Sequence, residues 1–163
     1  MTCPKCIRDP FAHSFSYFGK AGGGDISLYY TAPARVTARD NYDGIVTFQR
    51  HIQEIKGSWI WVIDCANMEL HNFYTMRFCS IFSDILMTEW ELRQVVILHP
   101  NLWIYRVLHN IPYEAADVIR VCSNNVELSG ACTELGFSYD ARTWLQITCT
   151  RDPNEKLEEV PLV

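Results

Sequence analysis

Residues 58–65 read SWIWVIDC, residues 94–100 read QVVILHP, and residues 102–111 read LWIYRVLHNI. The first two are short runs of β-branched and aromatic residues without polar alternation, the pattern of strands covered on both faces. One ends in Asp64, the other in His99-Pro100. The stretch between them is long enough for the crossover helix that parallel neighbours require. The third run follows at once and reads as a short helix. The order strand, helix, strand, His-Pro, aromatic helix predicts an α/β sheet whose last helices close over an apolar space rather than over a polar active site.

Working outward, residues 26–32 (ISLYYTA) form another strand, ended by Pro33. Residues 42–56 carry Ile45, Phe48, Ile52 and Ile55 at helical spacing. Asp40 or Asn41 can cap that helix and Gly57 can end it. Asn72 can cap a further helix in which Phe73, Met76, Cys79, Phe82, Ile85 and Leu86 line one side. Residues 117–122 (DVIRVC) form the last strand. Asn124 with Glu127 makes a capping pair for a helix through Leu135, stopped by Gly136. Alternating strands and helices imply one compact α/β domain, a mixed, mostly parallel sheet flanked by helices. Its expected span is residues 25–150, after an irregular lead-in over 1–24 and before a charged tail over 151–163.

The 163 residues carry a net charge of −5. Nucleic-acid binding, which needs clustered basic side chains, is therefore not expected. Membrane contact is expected to be peripheral at most, since no apolar run approaches the roughly 20 residues of a span. The first 20 residues lack the apolar core of a signal peptide. Seven cysteines, an odd number spread along the chain, fit a reducing, cytoplasmic compartment better than a disulfide framework.

Motifs for chemistry are sparse. Cys3-Pro4-Lys5-Cys6 has the spacing of half a zinc site, and His13 could add a third ligand. No second such pair exists, and a solvated pair is the simpler reading. The glycines of residues 20–25 (KAGGGD) precede a strand rather than open a helix, so they make a flexible turn, not a phosphate loop. Asp64, Cys65 and His99 lie at strand C-termini, where open α/β sheets place ligands. Without a nucleophile motif around Cys65 they read as structural groups, Asp64 accepting backbone bonds and His99 satisfying a turn. His13, His51, His71 and His109 lack ligand spacing, and His51 lies off the apolar stripe of its helix. No catalytic residue, metal or cofactor is expected.

The stretch from Leu92 to Leu135 resembles the core of CRAL-TRIO domains. It is most similar to the divergent BCH branch found in Rho GTPase-activating proteins. Ile97-Leu98-His99-Pro100 matches the strand that ends in His-Pro. Residues 102–110 match the aromatic helix after it, and residues 118–129 the strand and Ser-rich helix start that follow. Residues 59–64 and 26–32 look like the family's earlier strands. The segment between Pro100 and Asp117 leaves room for only a short gate helix, which suits the divergent branch.

The resemblance implies an apolar cavity between sheet and helices. Trp61, Ile63, Phe82, Leu98, Trp103, Val107, Leu108 and Val121 would line it. His99 and Arg106 would meet a polar head group. The first expectation is thus a non-catalytic module for a lipid or small hydrophobic ligand. The second is a BCH-type interaction module, binding a small GTPase or itself through aromatic anchors such as Trp90, Tyr105 and Tyr113. A distant third is a small enzyme dependent on Cys65.

Overall fold

The computed structural model describes residues 4–36, 41–68, 73–100, 102–111 and 113–150. The proposed caps Asp40 and Asn72, Cys3, His71 and the tail 151–163 lie outside them. Five strands form one sheet in the order β1-β2-β3-β4-β5: Ser16–Ala21, Ile26–Thr31, Trp59–Asp64, Leu92–Leu98 and Ile119–Cys122. β1 is antiparallel to β2, and the other neighbours are parallel. The expected α/β class with a mixed, mostly parallel sheet is what the structure has.

Strand order equals chain order, so each right-handed crossover steps the same way and leaves its helix on the same face. That face carries α2 (Asn41–Gln53), α3 (Phe73–Thr88) and α4 (Leu102–His109), with the one-turn α5 (Tyr113–Ala116) leading into β5. The opposite face is covered by α6 (Asn125–Leu135) and α7 (Tyr139–Thr150). α6 is bounded as its sequence predicts. Asn124 Oδ1 accepts the Glu127 N–H at 2.9 Å, and Gly136 ends the helix in the left-handed region at φ 71°.

The two-residue period of the strands sorts the core into unlike layers. Trp59, Trp61 and Ile63 join Phe48, Phe78 and Phe82 beneath α2 and α3. Ile60, Val62, Val96 and Leu98 meet Ala131, Cys132, Ala141 and Leu145 beneath α6 and α7. The first layer is ring against ring: Trp61 lies 5.6–6.1 Å by centroid from Phe15, Phe48, Trp59, Phe78 and Phe82. In the second, aliphatic strand residues meet Ala131, Cys132 and Ala141 of the helices, and rings (Phe18, Tyr30, Phe137 and Trp144) gather toward the β1–β2 side.

Residues 4–24 depart from the irregular lead-in expected of them. They hold α1 (Pro4–Arg8) and β1. Phe15 is buried in the aromatic layer, and Phe11 and Phe18 in the other. β1 covers the edge of β2, whose backbone would otherwise be exposed to pairing. Its register shifts between Tyr17 and Gly19, and Gly19 has φ +146°. A Cβ there would sit 2.8 Å from the Ala141 Cβ, so glycine is what lets α7 cross β1.

Candidate functional site

Asp64 ends β3 and is fully buried. A lone buried carboxylate is costly, and this one is accepted because four donors surround it. Oδ2 takes the Tyr30 hydroxyl at 2.7 Å and the Arg35 guanidinium at 3.2 Å. Oδ1 takes the Ala66 N–H at 3.0 Å and faces His99 Nδ1 at 2.9 Å. Those four contacts use the lone-pair directions a carboxylate offers. Arg35 also donates to the Cys149 carbonyl at 3.3 Å, and its guanidinium stacks on Phe11, 4.4 Å from the ring centre.

Burial by itself would raise the Asp64 pKa. The hydrogen bonds from His99, Tyr30 and Ala66 outweigh it and hold the carboxyl below its usual range. The same bond raises the His99 pKa, so the imidazole favours its charged form. The His99 side chain is 51% exposed. Its backbone has φ +49°, uncommon outside glycine, and Pro100 follows. With Nδ1 committed to Asp64, Nε2 is the ring atom left to face a ligand at the C-terminal edge of the sheet.

The expected pairing of Asp64 with backbone from the next loop is present at Ala66, but His99 converges on it too. Cys65 does not complete a nucleophilic trio. It is fully buried, and burial followed by the Asp64 charge pushes its thiol far up, away from the reactive thiolate.

The residues proposed for a lining fall in three places. Trp61, Ile63 and Phe82 are fully buried in the aromatic layer, with Val107, Leu108 and Val121 half-buried against it. Leu98 is on the opposite face: the register pairs Ile63 with Ile97 and Asp64 with Leu98, so Leu98 packs under α6 and α7. Arg106 is exposed on α4. The Trp103 side chain lies outside the described residues. Beside His99 the structure has a crevice of about 40 Å³ bordered by Leu98, Cys122, Ser123 and Asn124. A wider cleft of about 240 Å³ runs between α6 and α7, past Leu128, Cys132, Arg142 and Leu145.

A second polar cluster joins Cys6 and His13, which the sequence offered as part of half a zinc site, to His51, which it did not. Cys6 Sγ on α1 lies 3.4 Å from His13 Nδ1 and 3.5 Å from His51 Nε2 on α2. The three ligand atoms lie within 4.8 Å of one another. His51 is half-buried rather than exposed, because Phe15 and His13 fold against it. Burial lowers the pKa of both imidazoles, with the neighbouring His51 adding to the effect on His13. Both are therefore biased toward the neutral form that metal ions bind. The 38-residue gap between the histidines hides the group from any spacing rule.

No protein-family model matches the chain, and no curated protein matches it.

Proposed function

We propose that the chain is a non-catalytic binding module that takes a lipid or other small hydrophobic ligand beneath α4, with His99 and Arg106 meeting its polar end. The observation that supports this reading is the unequal burial of helices on one face. Among the described side chains, α3 buries Phe78, Ile81, Phe82 and Ile85. α4 buries Ile104, leaves Val107 and Leu108 half-buried, and exposes Leu102 and Tyr105.

Lifting α4 costs the burial of Ile104, about 1.5–3 kcal/mol, and part of that of two neighbours. An acyl chain entering the same space returns ~0.8 kcal/mol per methylene, so a chain of about ten carbons outweighs the loss. The positive-φ turn at His99 lies just before α4 in the chain. The charged-form bias of His99 and the exposed Arg106 suit an acidic or hydrogen-bonding head group. The CRAL-TRIO resemblance belongs to the same reading, as does a cytoplasmic location. No helix among the described residues is long and apolar enough to cross a membrane.

Native mass spectrometry of protein purified from cells, followed by organic extraction, tests the proposal. A stoichiometric extractable adduct that Val107→Trp removes is the expected result. Protein without an adduct that also takes up no fluorescent fatty acid would overturn it.

A BCH-type interaction module is the second reading, and Trp90 favours it. This side chain is 93% exposed at the opposite end of the sheet, three residues beyond the 60% exposed Met87. Self-association through that corner predicts a concentration-dependent sedimentation coefficient that Trp90→Ala abolishes. A constant monomer value in the parent protein removes the self-association form of this reading.

A further inference from the structure

We propose that Cys6, His13 and His51 bind a zinc ion that pins the N-terminal segment to α2. Zinc bonds thiolate at about 2.3 Å and imidazole at about 2.0–2.1 Å, which at a tetrahedral angle sets S···N separations of roughly 3.6 Å. The two S···N distances here, 3.4 and 3.5 Å, are the edges of such a tetrahedron. Each histidine presents one ring nitrogen to the sulfur: Nδ1 of His13 and Nε2 of His51.

A hydrogen-bonded trio of one thiol and two imidazoles also fits these distances, the thiol donating to one ring nitrogen and accepting from the other in either order. A cation satisfies all three atoms together, with the sulfur deprotonated. The donor set, one soft thiolate and two imidazoles, suits zinc over magnesium or calcium, which prefer oxygen.

Two features outside the triangle point the same way. Cys3 stands at CxxC spacing from Cys6 in the sequence, the spacing by which structural zinc sites take two thiolates from one turn. The three described donors also come from separate pieces of chain: α1, the loop before β1, and α2. An ion among them would cross-link residues 6–13, which lead into Phe15 and β1, to a helix of the aromatic layer. α1 buries none of its own residues, and a clip stabilises such a short element most.

Cobalt(II) titration of the full chain, freed of metal by chelator, reads the site directly. The expected outcome is tetrahedral ligand-field absorption in the visible with thiolate-to-cobalt charge transfer in the near ultraviolet. Both should saturate at about one equivalent and be displaced by zinc. Cys6→Ser should lose the charge-transfer band, and His51→Gln the tetrahedral intensity. Zinc should raise the Tm of the parent chain and protect Cys6 from iodoacetamide. Weak, unsaturating cobalt absorption in the parent chain would overturn the proposal whether or not the variants fold. So would a spectrum unchanged in Cys6→Ser. The cluster would then be a thiol–imidazole hydrogen-bond network alone.

Discussion

At Asp64 four donors from the protein converge on one buried carboxylate, whereas at Cys6 three ligand atoms from separate segments turn toward one another. The first ties β2 and the turn after it to the ends of β3 and β4, the second ties the N-terminal segment to α2, and they do so in opposite electrostatic senses. The Asp64 cluster is charged and internally balanced: its stability is set by residues already in place. The histidines beside Cys6 are biased to neutrality, and their contribution depends on what they bind. The difference shows that similar residue types serve as a fixed rivet in one setting and as a conditional clasp in another. What decides between them is whether an acid sits at the centre.

The largest test of that contrast is Asp64→Ala. It strands the buried Arg35 guanidinium and the Tyr30 hydroxyl, and should cost about 3–5 kcal/mol in chemical denaturation. Cys6→Ser in metal-free protein should cost far less. Comparable losses would erase the distinction drawn here. Tyr30→Phe removes one donor and leaves the charge pair intact, so about 1–3 kcal/mol is expected from the same measurement.

The smallest effect is the most discriminating. The His99 pKa is raised, so its bond to Asp64 contributes fully below pH 6.5 and is lost as pH rises through the elevated value. The His13 and His51 pKa values are lowered. In metal-free protein stability should therefore fall as pH drops below 6.5, where the unfolded chain takes up protons first. Denaturation midpoints across pH 5–9 in chelator should show both slopes. His99→Gln should flatten only the alkaline limb, and His51→Gln only the acid limb. A single variant that flattened both would mean the clusters titrate as one.

Much of this was legible in the residues. The runs at β2, β3 and β4 were unmistakable because they are apolar on both sides, and α6 announced itself through Asn124, Glu127 and Gly136. β1 was hidden because its alternation is brief and broken by Gly19, whose need is set by a helix more than 100 residues later. α7 was hidden because, of its buried positions Ala141, Leu145 and Thr148, only Leu145 is a large apolar residue, too little for a periodic signal. The meeting of Asp64 with His99 could be approached from their shared place at strand ends. The face taken by Leu98 needed the β3–β4 register, and the nearness of Cys6 to His51 needed the whole N-terminal path.

The strand order 1-2-3-4-5 also says how the chain can be assembled. The β1–β2 hairpin is the local pairing, so it can close before anything else exists, and each later strand then has its neighbour waiting. A ribosome can thus extend the sheet one rung at a time. The face formed by Ile60, Val62, Val96 and Leu98 receives its cover only when α6 and α7 emerge. Until then the nascent protein carries a bare apolar sheet surface. The sheet stays one-sided until these two helices are made, and a chain cut before residue 139 leaves an adhesive apolar face for chaperones to hold.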